Sequence, residues 1–131
     1  MTYLWVAVGG ALGSVARFWC SGLVARTVGG TFPWGTMVVN VVGSFVIGFF
    51  GTLTAPEGRF LVAPDVRTFV MIGLCGGYTT FSSFSLQTLN LATDGEYLYA
   101  GLNIVLSVVL CLLAVWLGSI LAAGFNTLNW V

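Results

Sequence analysis

The chain has 131 residues, of which 58% are hydrophobic and 6% are charged, and its mean hydropathy is +1.02. A soluble domain carries about 25% charged residues. This composition therefore excludes a soluble domain and predicts an integral membrane protein. The formal net charge is zero and the chain has no histidine. A nucleic-acid partner is not expected, and histidine-based acid–base chemistry and His-ligated metal sites are excluded.

Four apolar segments are long enough to cross a bilayer, which takes about 20 mostly apolar residues. They cover residues 3–26, 34–54, 68–91 and 98–125. The N-terminus lacks a basic stretch and a clear cleavage site, so the first segment is expected to stay in place as a helix. Trp5, Trp34 and Trp130 fall near segment ends, where aromatic residues sit at the headgroup level. We predict a single all-α membrane domain over residues 1–131, with four transmembrane helices.

The first predicted helix contains Arg17, the one ionisable residue well inside an apolar segment. An arginine at the centre of a helix costs roughly 2.5–3.5 kcal/mol on insertion scales. Two interpretations stay open at this stage. The guanidinium either snorkels towards the near interface, or has a structural or vestibule role in which it binds backbone carbonyls or raises the local anion concentration.

Polar side chains recur at intervals of four residues in the second and fourth predicted helices, so each set shares one helix face. The two sets are Thr36, Asn40, Ser44 and Gly48, and Asn103, Ser107 and Cys111. Such residues can simply bridge helices through hydrogen bonds worth about 0.6 kcal/mol each. Together with the third helix, they are better explained as a continuous polar track.

The third predicted helix carries the most informative stretch, residues 73–85, which read GLCGGYTTFSSFS. Three glycines, two threonines and three serines stand here between bulky residues. A break in a spanning helix is tolerated only where protein or a water-filled path satisfies the freed backbone groups. We therefore expect this helix to be broken near its middle, beside a path for permeation.

Phe81 and Phe84 are three residues apart and so share one face of a helix. Each is flanked on both sides by hydroxyl residues, an arrangement that is wasteful for packing alone. An aromatic ring has a negative face and a positive edge. Rings presented edge-on could attract an anion weakly, as conduction requires.

The arginines give no orientation signal. Arg59 and Arg67 lie in the second linker, whereas Arg17 and Arg26 belong to the other side, so the count is two against two. Cytoplasmic loops normally collect Lys and Arg. Either the signal is merely weak, or the chain inserts in both orientations and assembles as an antiparallel pair.

Three sequence motifs and the spacing of one set of polar residues resemble those of the CrcB or Fluc family of small bacterial fluoride channels. The motifs cover residues 9–17 (GGALGSVAR), 33–45 (PWGTMVVNVVGSF) and 76–85 (GGYTTFSSFS), and the polar set is Asn103, Ser107 and Cys111. The resemblance implies a multi-pass protein of the bacterial cell (inner) membrane that passively exports fluoride and lowers its cytoplasmic toxicity. It also implies an antiparallel, dual-topology homodimer with two pores.

The resemblance also implies roles for individual residues on the route of the ion. Phe81 and Phe84 would be the pore rings that meet fluoride edge-on, with Asn40 as the amide donor beside them. The polar track would include the hydroxyls of Ser82, Ser83 and Ser107. Ser83 stands where the family often has threonine, which keeps the hydroxyl. Cys111 stands where a hydroxyl or glycine is commoner, and its thiol is a weaker donor.

A cofactor is implied in the same way. Gly76 and Thr79 would offer backbone carbonyls, from both subunits, to a structural sodium ion (Na+) at the dimer interface. A broken helix frees carbonyls that a cation can satisfy.

Three functions from different classes fit a chain of this size. The first is the fluoride channel, and the second is a small multidrug or cation antiporter, which needs a membrane-embedded carboxylate that this chain lacks. The third is a subunit that only packs into a larger complex and carries no ion flux. An enzyme is not expected, because there is no histidine, no pair of embedded acids and no context for a reactive cysteine.

Overall fold

The computed structural model describes residues 1–128, so Trp130, predicted for the membrane interface, lies outside the described residues. All regular structure within this range is helical. The helices are α1 (Thr2–Val28), α2 (Trp34–Leu53), α3 (Pro64–Thr68), α4 (Gly76–Tyr78), α5 (Phe81–Thr93) and α6 (Tyr97–Thr127), with a π-helical segment, Phe69–Cys75, between α3 and α4.

Four helical stretches in the described part of the chain are long and apolar enough to cross a membrane: Thr2–Val28, Trp34–Leu53, Pro64–Thr93 and Tyr97–Thr127. The prediction of an all-α protein with four spanning helices is therefore confirmed, and the chain is a multi-pass membrane protein. The third of these, which we call the third span, begins at Pro64 rather than at the predicted Thr68. Proline suits the first helical turn because that turn needs no N–H from it.

The first and third spans pack with their backbones in near contact. Gly9 and Gly13 of α1 face Gly73 and Gly77 of the third span, and all four lack the side chain that would hold the helices apart. A Cβ atom at Gly9 would lie 2.7 Å from the Phe69 carbonyl oxygen and 2.9 Å from Gly73 Cα. Two small-xxx-small pairs therefore meet each other, as is typical where helices associate in lipid.

The second and fourth spans form the other close pair. Gly48 of α2 lies against the backbone of Val115, and Gly118 of α6 lies against the Phe45 carbonyl. The hydroxyls of Thr52 and Ser119 share a hydrogen bond at 2.8 Å along the same seam. The fourth span is thus held to the second by small residues and one polar contact.

Both arginines of the second linker bind backbone carbonyls at helix ends. Arg67 Nη1 donates to the carbonyl oxygen of Thr54, at 2.5 Å, and to its hydroxyl, at 3.1 Å, just beyond the end of α2. Arg59 Nη1 donates to the Leu128 carbonyl, which follows α6. Cations are favourable at helix C-termini, where carbonyls lack partners. These two charges therefore stabilise helix ends.

Replacing Gly9 with alanine tests the close packing of the first and third spans. We expect Gly9→Ala to lower the free energy of unfolding by about 1–3 kcal/mol, because the backbones must separate to admit the methyl group. The measurement is thermal or denaturant unfolding in detergent. Gly10→Ala is the matched control, since no atom in the described part of the chain lies within 4 Å of a Cβ at Gly10. Equal stability of the two variants would contradict this packing.

Candidate functional site

A cavity of about 380 Å³, which we call the central cavity, lies between α2, the third span and α6. Its wall is apolar except for a few polar groups at membrane depth. The polar and aromatic lining residues are Asn40, Ser44, Cys75, Thr79, Thr80, Phe81, Phe84, Ser107 and Cys111. The lining contains no Asp, Glu, Lys or Arg. The site is therefore polar but uncharged.

One wall of the central cavity is an extended stretch of backbone between α4 and α5. Thr79 has φ −83° and ψ 160°, and Thr80 has φ −153° and ψ 112°, so neither is helical. Asn40 of α2 pairs with this stretch through both ends of its amide. Its Nδ2 donates to the Thr80 carbonyl at 3.0 Å, and its Oδ1 accepts the Thr80 N–H at 2.7 Å. Asn40 therefore supplies the backbone partners that Thr80 lacks outside a helix.

The Thr80 hydroxyl begins α5 by capping it. Thr80 Oγ1 accepts the backbone N–H of Ser83 at 3.1 Å, as an N-cap side chain does. The same oxygen lies 3.1 Å from Ser83 Oγ and 3.2 Å from Ser82 Oγ. Ser82 and Ser83 thus belong to a hydroxyl cluster around Thr80 and do not line the central cavity. Their predicted place on the ion's route stays a prediction.

Phe81 and Phe84 follow in the first turn of α5 and both line the central cavity. Their ring centroids are 5.3 Å apart and the ring planes are inclined at 50°. Phe84 is buried at 9% exposure, whereas Phe81 is 77% exposed. The two rings therefore form a pair with one member packed in the chain and the other projecting from it.

Opposite these rings, α6 contributes Ser107 and Cys111 to the central cavity. The third member of the predicted stripe, Asn103, is 1% exposed and lies outside the lining. Asn103 Nδ2 donates to Thr88 Oγ1 of α5 at 2.8 Å, and Asn103 Oδ1 accepts from Ser107 Oγ at 3.3 Å. This part of the predicted stripe thus connects helices, and the other part faces the cavity.

The extended stretch frees two backbone carbonyls of residues that line the cavity. In a continuous helix the Thr80 N–H would bond the Gly76 carbonyl and the Ser83 N–H would bond the Thr79 carbonyl. Here the Thr80 N–H donates to Asn40 and the Ser83 N–H donates to Thr80 Oγ1. The carbonyls of Gly76 and Thr79 are consequently available to another ligand.

A second, larger cavity of about 820 Å³ lies near one end of the bundle, among α1, α2 and α5. It is lined by Arg26, Thr36, Gln87 and Asp94, among others. Gln87 Oε1 is buried there without a hydrogen-bond partner among residues 1–128. Arg17 lines neither cavity and is partly exposed on α1. Its role in a vestibule or in the structure stays a prediction.

The structure thus brings Asn40, Phe81, Phe84 and Ser107 to one cavity, together with the backbone of Gly76 and Thr79. In the sequence Thr80 counts only as one hydroxyl residue of the polar stretch 73–85, whereas in the structure its hydroxyl and backbone organise the whole wall. The signal was present: a threonine three residues before Ser83, at the start of a helical segment, is a typical N-cap position. Thr88 is a residue of this region that the sequence does not indicate, because nothing in its local sequence distinguishes it from other helical threonines.

These features define a class: a small multi-pass helical membrane protein with an uncharged polar site at membrane depth. The chain matches the family described as "CrcB-like protein, Camphor Resistance (CrcB)" over residues 4–119. It belongs to the CrcB family, and the resemblance found in the sequence is confirmed.

Similar proteins cover nearly the whole chain. A protein from Methylocella silvestris is 64% identical over 129 residues, which are 98% of each chain. One from Opitutus terrae is 69% identical over 127 residues, which are 97% of this chain and 96% of that one. One from Rhodospirillum rubrum is 61% identical over 126 residues, which are 96% of this chain and 98% of that one. All three carry the name "Fluoride-specific ion channel FluC".

Substitution of Asn40 tests whether its amide holds the extended wall. Asn40→Leu keeps the size of the side chain but leaves the Thr80 N–H and carbonyl without partners. Each unpaired buried group costs about 1–3 kcal/mol, so we expect a loss of a few kcal/mol in unfolding free energy. Asn90→Leu, at an exposed asparagine on α5, is the control. If Asn40→Leu is as stable as Asn90→Leu, the Asn40 amide does not hold the extended wall.

Proposed function

We propose that this protein is a fluoride-selective ion channel that passively exports fluoride and thereby lowers its toxicity in the cytoplasm. The observation that carries the proposal is the central cavity, in which two phenylalanine rings meet amide and hydroxyl groups without any charged side chain. The names of the similar proteins support the same function. The activity of this family is transport and not enzyme chemistry.

The chemistry of the central cavity suits a small anion that must bind and then leave. Positive ring edges of Phe81 and Phe84 and the amide of Asn40 attract an anion, and the Ser107 hydroxyl does so when its hydrogen is turned towards the cavity. Asn40 uses one of its two amide hydrogens on the Thr80 carbonyl, so the other is free for the ion. A fixed cation would hold fluoride too tightly, and conduction needs weak binding at several positions.

The antiporter alternative lacks its essential group. Proton-coupled exchange requires a carboxylate within the membrane that alternately binds a proton and a substrate. The four acidic residues, Glu57, Asp65, Asp94 and Glu96, lie in linkers or at the ends of spans, and none lines the central cavity. A passive channel is therefore favoured over an antiporter.

We further propose that two copies associate in opposite orientations and form two pores. Phe81 is 77% exposed although its ring neighbours the cavity, so a single chain leaves the site open on one side. A second copy would close it and contribute its own Phe81. Two arginines on each side of the membrane leave both orientations equally favourable.

A structural Na+ between the two copies is compatible with the freed carbonyls of Gly76 and Thr79. Gly76 is exposed, and a hard cation prefers oxygen ligands of this kind. Two such carbonyls from each copy would give four ligands. The ion would fix the extended stretches of the two copies against each other, and the side chains around the cavity would conduct the anion.

The proposed function is tested with purified protein in liposomes loaded with fluoride or chloride. We expect rapid passive loss of fluoride, with chloride retained, when the membrane voltage is set by a potassium ionophore. Protein-free liposomes are the control for leakage. Sealed liposomes that contain folded protein and keep their fluoride would refute the channel and favour a subunit that only packs.

In the same assay, Phe81→Ile should reduce fluoride flux by roughly tenfold or more, because an aliphatic group removes the positive ring edge. The variant should elute like the parent in gel filtration. Phe60→Ile is the matched control, since Phe60 is half exposed in the second linker, away from the cavity. A fluoride flux through Phe81→Ile equal to that through the parent would show that the ring edge does not bind the ion.

Dual topology is tested by labelling single cysteines in cells with a membrane-impermeant maleimide, after Cys20, Cys75 and Cys111 have been replaced by serine. Thr31→Cys lies in the first linker and Glu57→Cys in the second, on opposite sides of the bilayer. If both orientations are inserted equally, each site should be labelled to about half. Complete labelling of one and none of the other would establish a single orientation.

A further inference from the structure

α5 and α6 are joined behind the central cavity by a chain of hydrogen bonds that we call the Thr88–Asn103–Ser107 relay. Ser107 Oγ donates to Asn103 Oδ1 at 3.3 Å, and Asn103 Nδ2 donates to Thr88 Oγ1 at 2.8 Å. Thr88 Oγ1 in turn donates to the Phe84 carbonyl at 2.8 Å. The hydrogen of Ser107, the relay residue whose hydroxyl lines the cavity, is therefore directed to Asn103, which lies outside the lining.

With this direction of the hydrogen bonds, the Ser107 hydroxyl does not bind an anion in the cavity. A serine hydroxyl has a single hydrogen to donate. While that hydrogen is bonded to Asn103, Ser107 can offer the cavity only lone pairs, which repel a negative ion. Ser107 nevertheless lines the same cavity as Phe81 and Phe84. A route by which its hydrogen becomes free is needed if Ser107 is to bind fluoride.

A half-turn of the Asn103 amide provides that route. It exchanges the amide oxygen and nitrogen, so that Nδ2 donates to Ser107 Oγ and Oδ1 accepts from Thr88 Oγ1. Both ends of the buried amide stay paired, as burial at 1% exposure demands. The bond from Thr88 to the Phe84 carbonyl is given up, and the Ser107 hydrogen is released towards the cavity.

We propose that Asn103 is a positioning residue that sets the direction of the Ser107 hydroxyl, and that an anion in the cavity selects the reversed relay. Asn103 does not touch the ion, and Thr88 holds the amide in either direction. All three bonds of the relay change in the half-turn, and the one from Ser107 to Asn103 is the longest of them. The inference rests on the proposed fluoride channel and concerns how its hydroxyl donor is prepared.

A double-mutant cycle on fluoride efflux tests the proposal. Ser107→Ala removes the donor, and Asn103→Leu leaves the Ser107 hydroxyl to bond its own helix backbone. Each should reduce flux by roughly tenfold, the effect of one lost hydrogen bond to an ion. Because both act through the same hydroxyl, the double variant should conduct no less than either single variant. Multiplied losses, or unchanged flux in Asn103→Leu, would overturn the proposal.

Thr88 gives a second test that does not depend on the folding of Asn103→Leu. Thr88→Val has nearly the same shape but no hydroxyl, and Thr88→Ser keeps the hydroxyl. We expect several-fold lower flux for Thr88→Val and parental flux for Thr88→Ser. Thr93→Val is the matched control, because Thr93 is an exposed threonine of α5 that bonds only its own helix. Equal flux of Thr88→Val and Thr93→Val would overturn the relay.

The failure of this inference is distinct from the failure of the proposed function. If the parent chain passes fluoride and the variants behave independently, only the relay is wrong. If the parent chain passes no fluoride, the channel itself is refuted and the relay with it.

Discussion

The structure depends on the pairing of Asn40 with the backbone of Thr80. At membrane depth an unpaired N–H or carbonyl costs several kcal/mol because no water is available. The third span nevertheless contains two extended residues, Thr79 and Thr80, between helical segments. One amide side chain satisfies both polar groups of Thr80. The extended wall of the cavity, the start of α5 and the placement of both phenylalanines all follow from that pairing.

The remaining helices bring Asn40 and Thr80 within reach of each other. The first and third spans approach closely because glycines meet glycines, and the second and fourth do so through Gly48 and Gly118. Association in lipid has little hydrophobic driving force, so close van der Waals packing has to supply the energy. Gly43 of α2 lies against the Thr79 side chain and leaves no room for a Cβ, so α2 and the third span come close enough for the two hydrogen bonds.

Most hydroxyls of the third span and of its neighbours are engaged within the protein. Thr80 caps α5, Ser82 and Ser83 gather around it, and Thr88 bonds both Phe84 and Asn103. This explains how so polar a sequence is accommodated in a membrane. It also means that a hydroxyl beside the cavity donates to an ion only when its bond inside the protein can be exchanged.

The sequence by itself determined the membrane class, the four spans, the family and the unusual nature of residues 73–85, because each is encoded in composition or in a local motif. Only the tertiary structure decided which polar residues face the cavity. Asn40 and Ser107 do, whereas Asn103, Ser82 and Ser83 are bonded elsewhere. Asn103 and Ser107 share a helix face but differ in this way because Asn103 donates to Thr88 of another helix. Ser82 and Ser83 are drawn instead to Thr80, at the start of their own helix. The periodicity of a sequence predicts which helix face carries a side chain, but not which group lies opposite that face.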